Sequence, residues 1–363
     1  MNLTTALLFV LGLVALVVGA DALVRGASKL ALRLGLSPLV VGLTVVAFGT
    51  SAPEMAVTAG GVLSGQGDLA VGNAVGSNIF NVLFILGLSA LITPLAVNQQ
   101  IIRQEVPVMV GGALLLVVLG LDGAFGLGDG LLLLGLLVAY TALLVWQARS
   151  APAAERAPYD AALAPPVRRW DDALPAQIGL IAVGLLLLVL GANWLVDAAT
   201  TVARALGLSE AVIGLTIVAV GTSLPEVAAS VTASLKGERD IAVGNVVGSC
   251  VFNIFGVVGL GAVVAELGTG APLPLPPGVA HFDLWVMVGA LVACLPVFIT
   301  GREIARWEGA LLLGYYLAYT VYLVMAVQHK PGVQAFADAM LGFVVPLTIV
   351  TLGVALVRPA RVT

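Results

Sequence analysis

Two stretches decide the fold: Gly49-Thr50-Ser51-Ala52-Pro53-Glu54 and Gly221-Thr222-Ser223-Leu224-Pro225-Glu226. Each sets a proline and a carboxylate inside an apolar run. A bilayer-spanning helix normally excludes both, because proline removes a backbone hydrogen bond and a buried charge loses its hydration. The same two costs at matching places mark a site.

The surroundings are membrane-like. Of 363 residues, 60% are hydrophobic and 10% charged, where a soluble domain carries about 25% charged residues. Mean hydropathy is +1.10. The composition is that of an integral membrane protein. A net charge of −4 points to no nucleic-acid partner. Cys250 and Cys294 lie in apolar runs and read as small packed residues, so no disulfide framework is implied. Leu3 to Val18 resembles a signal peptide, but no basic segment precedes it and the stretch from Gly19 recurs later; it reads as a retained first helix.

Runs of about 20 apolar residues predict eleven all-α spans: 3–33, 38–65, 69–93, 104–121, 128–148, 174–206, 210–236, 241–265, 283–300, 307–327 and 337–357. With the N-terminus outside, fourteen of the 16 Lys and Arg residues fall at cytoplasmic ends, as the positive-inside rule requires. Only Arg204 and Lys330 fall outside. The C-terminus is then inside.

An offset of 172 superposes the chain on itself. Between Gly42 and Leu88, 25 of 47 positions are identical without a gap. The repeat restarts five helices later, and an odd step reverses direction across the membrane. The halves are therefore inverted-topology repeats, as in secondary transporters. The expected organisation is a first five-helix repeat at 1–148 (core 38–93), a flexible cytoplasmic linker at 149–173, a second repeat at 174–327 (core 210–265), and an extra C-terminal membrane helix at 328–363.

Helical rise places the polar residues. Glu54 lies twelve residues before Gln66 and Asn81 thirteen after Asp68; Glu226 and Asn253 repeat this around Glu238 and Asp240. At about 1.5 Å per residue, all four sit near mid-membrane. Ser77 and Asn81 share a helix face, as do Ser249 and Asn253. Pro53 and Pro225 free the carbonyls of Gly49 and Gly221. The expected environment is all oxygen, which suits a hard cation such as Ca²⁺. Softer metals would want His or Cys at ligand spacing. Gly72/Gly76 and Gly244/Gly248 have the spacing that lets helices approach closely. Asn73 and Asn245 lie nearer the turns and read equally as caps or ion contacts. Asp21 and Arg25 read as a local pair; Glu105, Asp122 and Asp283 sit at span ends; His281 and His329 have no ligand neighbours.

Together with Gly72-Asn73-Ala74-Val75-Gly76-Ser77-Asn78-Ile79-Phe80-Asn81 and Gly244-Asn245-Val246-Val247-Gly248-Ser249-Cys250-Val251-Phe252-Asn253, the two opening stretches resemble the α-repeats of the cation/calcium exchanger superfamily, prokaryotic sodium/calcium exchanger type. The resemblance implies ten core helices with the N-terminus outside, in the cell (inner) membrane. It implies Ca²⁺ held by Glu54, Glu226 and the carbonyls of Thr50 and Thr222. It implies Na⁺ ligands at Ser51, Ser77, Ser223 and Ser249 and at the carbonyls of Ala47 and Ala219; Asn81 and Asn253, repeated at the same depth, read as part of the shared site. Sodium-coupled members often carry aspartate at position 253; proton-coupled relatives tend to show amides at both central positions, as here.

The expected function is antiport of Ca²⁺ for Na⁺ by alternating access, with Ca²⁺/H⁺ exchange as the alternative. The expected partners are these ions and the bilayer, with no cofactor. An intramembrane protease is disfavoured: Gly126-Leu127-Gly128-Asp129 fits its GxGD string, but the only Tyr-Asp, Tyr159-Asp160, lies in the linker. A channel is disfavoured because it needs a continuous pore, which a site enclosed between inverted halves does not offer.

Overall fold

The computed structural model describes residues 3–150, 170–205, 219–328 and 330–357. The features expected at 151–169, 206–218, His329 and 358–363 lie outside the described residues. The apolar runs form α1 (Leu3–Leu34), α2 (Pro38–Leu63), α3 (Gly67–Ile92), α4 (Ile101–Asp122), α5 (Leu127–Ser150), α6 (Leu174–Ala205), α7 (described over 219–235), α8 (Arg239–Thr269), α9 (Val279–Ile299), α10 (Arg306–Val327) and α11 (Val333–Val354). Ten described helices are long and apolar enough to cross a bilayer.

Local chemistry sets the boundaries. α1 ends at Gly35, whose φ of +62° suits a residue without Cβ. Ser37 then caps α2 by accepting from Val40 N–H at 3.3 Å, and Pro38 occupies the first turn, where no N–H is needed.

Inverted symmetry recurs beyond the helices. β1 (Leu95–Ala96), in the α3–α4 loop, pairs with β4 (Glu303–Ile304), in the α9–α10 loop. β2 (Ala124–Phe125), in the α4–α5 loop, pairs with β3 (Leu273–Pro274), in the α8–α9 loop. Each clip joins one half to the other, and the repeat exchanges the two clips. Paired loops must lie at the same end of the bundle. Four helices, α5 to α8, separate β2 from β3, and six, α4 to α9, separate β1 from β4. π-helical turns are repeated as well, at Phe80–Leu86 and Phe252–Val257, and at Ile101–Glu105 and Val279–Asp283.

The centre is α3 and α8. Their most apolar windows are 72% and 89% buried, against 6% for α10 and α11. α1 and α6 cross with almost no side chain between them: a Cβ on Gly19 would meet the Gly184 carbonyl at 2.8 Å, and one on Gly191 the Gly12 carbonyl at 2.8 Å. Small residues are what let membrane helices pack this closely. Gly244 and Gly248 sit against the backbone of α2: a Cβ on Gly244 would meet the Leu39 carbonyl at 2.9 Å, and one on Gly248 the Leu43 carbonyl at 2.7 Å. The symmetry-related partners of Gly72 and Gly76, positions 211 and 215, lie outside the described residues.

Several charges depart from expectation. Asp21 pairs with Lys236 of the α7–α8 turn at 2.6 Å, not with Arg25. Arg25 and Lys29 instead grip Asp171, Lys29 at 2.6 Å, and Lys29 also reaches Asp172 at 2.7 Å. Asp171 is fully buried, so the end of the expected flexible linker is docked on α1. The charges of Arg25 and Lys29 are separated from Asp21 by long flexible stems, and spacing along one helix does not show the competing partner. The hydrogen bonds from Lys29 and then Arg25 lower the Asp171 carboxyl to about 2. Glu105 is more than a span-end charge: it is fully buried and accepts from Tyr140 at 2.7 Å and Gln100 at 2.9 Å. Asp283 accepts from Tyr319 at 2.8 Å, the same contact in the other half.

Candidate cation site

Both proline stretches break their helices where the proline requires it. α2 is interrupted at Ser51, between Ala47–Thr50 and Ala52–Leu63. α7 is interrupted at Thr222–Ser223, between Ala219–Gly221 and Leu224–Leu235. Each proline then opens the next helical segment, and the glutamate falls in its first turn. A helix N-terminus presents partial positive charge and favours a carboxylate there. The break is therefore what aims Glu54 and Glu226.

The two breaks meet. Ser223 Oγ donates to Glu54 Oε1 at 3.1 Å and lies 3.2 Å from Ser77 Oγ. Ser51 Oγ reaches Glu226 Oε1 at 3.5 Å. Thr50 Oγ1 lies 3.4 Å from Ser249 Oγ and donates to Asn245 Oδ1 at 3.1 Å. Thr222 Oγ1 donates to Asn73 Oδ1 at 3.4 Å. Glu54, Glu226, Thr50, Ser51, Ser77, Asn81, Ser223, Ser249, Asn253 and Ala47 are all buried, and Thr222 is half-buried. The Ala47 carbonyl accepts from Ser51 N–H at 2.9 Å and lies 3.3 Å from the Thr50 hydroxyl. Ala219 opens the described part of α7.

The polar accounting does not close. Glu54 Oε2, Glu226 Oε2 and Asn253 Oδ1 are buried with no hydrogen-bond partner. Neither amide atom of Asn81 has an oxygen or nitrogen partner; the Cys250 thiol is its close neighbour. Among the described residues, neither glutamate forms an ion pair with a basic side chain. A native interior satisfies nearly all its buried polar atoms, and a carboxylate buried without a countercharge is costly. The same donor set fits a hard cation, which coordinates oxygen and neutralises two carboxylates.

Asn245 braces the second helix break. Its Nδ2 donates to Ser230 Oγ at 2.9 Å and lies 3.5 Å from the Glu226 carbonyl, buttressing the α7 break. The counterpart pair differs: Thr58 Oγ1 and Asn73 Nδ2 are both buried without partners. Two residues escape a reading based on the repeat. Asn78 accepts from Asn253 Nδ2 at 3.2 Å and donates to Met287 Sδ at 3.3 Å. Position 78 is Asn where the second copy has Cys250, so a search for doubled residues passes over it.

Inverted repeats, broken helices and a polar centre define a secondary transporter. The family model described as sodium/calcium exchanger protein matches residues 4–146 and 176–325. The chain is 40% identical to the candidate antiporter CaxA of Alkalimonas amylolytica over 88% of this chain and 98% of that one. It is 32% identical to the sodium/calcium exchanger MaX1 of Methanosarcina acetivorans, over 87% and 97%. A solved structure of the sodium-calcium exchanger NCX_Mj superposes with a TM-score of 0.74 at 30% identity, over 89% of this chain and 100% of that one. The chain belongs to the sodium/calcium exchanger family and is an antiporter of that type, not an enzyme.

Proposed function

We propose that the chain exchanges Ca²⁺ for Na⁺ by alternating access, with the cations bound between the two helix breaks. One observation carries this reading: oxygens of Glu54, Glu226, Asn81 and Asn253 are buried together without partners. Ca²⁺ is held by the two carboxylates and the carbonyls of Thr50 and Thr222. Na⁺ uses the hydroxyls of Ser51, Ser77, Ser223 and Ser249, the carbonyls of Ala47 and Ala219, and the central amides. Because Glu54 and Glu226 serve both ions, occupancy by one excludes full occupancy by the other, and competition alone gives exchange. Relatives named as sodium/calcium exchangers support Na⁺ as the counter-ion. The neutral pair Asn81 and Asn253 favours a second reading, Ca²⁺/H⁺ exchange.

The same proposal sets the N-terminus outside and the C-terminus inside the cell membrane, so that Arg25, Lys29, Arg33, Arg103, Arg149, Lys236, Arg302 and Arg306 lie at the cytoplasmic end. Purified protein in liposomes decides between the counter-ions. Ca²⁺ uptake against an outward Na⁺ gradient at equal pH supports sodium coupling. Uptake that follows only a pH gradient refutes it.

A further inference from the structure

We propose that Asn78 is a positioning residue that holds the Asn253 amide with its carbonyl oxygen toward the cation, and that Met287 sets the sense of this arrangement. The inference rests on the cation-site reading above and deepens it.

Asn78, Asn253 and Met287 come from α3, α8 and α9, and all three are buried. Asn253 Nδ2 donates to Asn78 Oδ1 at 3.2 Å, and Asn78 Nδ2 meets Met287 Sδ at 3.3 Å. Oxygen and nitrogen of an amide are interchangeable in shape, so chemistry must assign the direction. A thioether has no hydrogen to give and can only accept. Asn78 therefore turns Nδ2 to the sulfur and Oδ1 to Asn253. Asn253 must answer with Nδ2, which leaves Oδ1 as its free acceptor, and that oxygen has no protein partner. Reversing the relay would set oxygen against sulfur at one end and present an N–H group to a cation at the other.

The first half lacks this device. Cys250 stands where Asn78 stands, and its thiol neighbours Asn81, whose amide atoms have no oxygen or nitrogen partner. A thiol donates and accepts only weakly, so Asn81 is not held in one sense. Two identical amides of the repeat are thereby made unequal: Asn253 is a fixed oxygen ligand and Asn81 is free to turn. A fixed neutral oxygen at 253 does part of the work a carboxylate would do, without adding a third negative charge.

The test uses the full chain in proteoliposomes, with KM and Vmax measured separately for Ca²⁺ and for Na⁺. Asn78→Ala is expected to raise the KM of at least one cation about tenfold, as loss of one oriented ligand implies. Met287→Leu keeps the volume, removes the acceptor, and is expected to raise the same KM about threefold. A packing role alone would lower Vmax or melting temperature and leave KM in place.

Unchanged KM in Asn78→Ala and Met287→Leu, with Asn253→Ala impaired, overturns the inference while leaving the site reading intact. If Asn78→Ala does not fold, Met287→Leu decides by the same criterion. An unimpaired Asn253→Ala overturns the inference too, because there is then no ligand to position. Failure of the wild-type chain to exchange at all is the separate failure of the proposed function.

Discussion

Ser223 and Glu54 belong to opposite repeats, and Ser223 Oγ donates to Glu54 Oε1 at 3.1 Å. The counterpart contact, Ser51 to Glu226, is longer at 3.5 Å. Each serine sits at the helix break of its own half and reaches the carboxylate of the other. The two halves therefore share one polar centre, and neither copy of the motif is complete without its partner.

The inequality of these bonds is testable. A hydrogen bond to a charged group is worth about 1.5–3 kcal/mol. Ser223→Ala is expected to raise the exchange KM for a cation by roughly tenfold or more. Ser51→Ala should cost less, because its contact is at the limit of hydrogen bonding. Exchange kinetics in proteoliposomes check the order; a larger effect at Ser51 would contradict it.

The α1–α6 crossing should be intolerant of side chains. Gly19→Val places its Cβ 2.8 Å from the Gly184 carbonyl oxygen, closer than carbon and oxygen pack. Overpacking of this kind costs about 1–3 kcal/mol. Thermal unfolding in detergent should show a clear drop in midpoint for Gly19→Val. Gly289→Ala, whose Cβ would meet no heavy atom within 4 Å, should unfold with wild type.

Asp171 gives a pH signature. Its folded carboxyl titrates at about 2, below the usual unfolded value of about 3.9. Its contribution is thus fully present above about pH 3.9 and is lost as pH falls through about 2. Asp171→Asn should lower the unfolding midpoint by a constant amount from pH 8 to pH 5. That difference should shrink in acid. A difference that grows toward low pH would contradict the docked arrangement with Lys29 and Arg25.

α11 should be dispensable for exchange. It rests on α10 through Tyr315, whose hydroxyl donates to Thr348 Oγ1 at 2.6 Å and lies 3.3 Å from the Val344 carbonyl. It carries no candidate site residue, and the matched family region ends at residue 325. A chain ending at Gln328 should keep exchange within about twofold. Tyr315→Phe should lower the unfolding midpoint by the loss of about 1 kcal/mol with kinetics unchanged. Loss of exchange in the truncated chain would give α11 a role in transport.

The architecture was legible in sequence because a membrane imposes simple rules. Apolar length gives the spans, Lys and Arg give alternation, and an offset of 172 gives the inversion. The breaks at Ser51 and Ser223 followed from Pro53 and Pro225. Illegible were partnerships between distant segments that the repeat does not double. Asp171 docks on α1 through residues more than 140 positions away. Asn78 gains its role from Met287 on a different helix and has no counterpart in the other copy. The inequality between Ser230–Asn245 and Thr58–Asn73 is invisible for the same reason: similar residues occur in both halves, and only packing distinguishes them.

The most direct test of the cation site is ⁴⁵Ca²⁺ uptake under an outward Na⁺ gradient by wild type, Glu54→Gln and Glu226→Gln, each reconstituted at equal protein density. Removing either negative charge from the shared centre should abolish uptake while the variants remain folded. Substantial uptake by either variant would contradict the assignment of the two carboxylates as the cation's ligands.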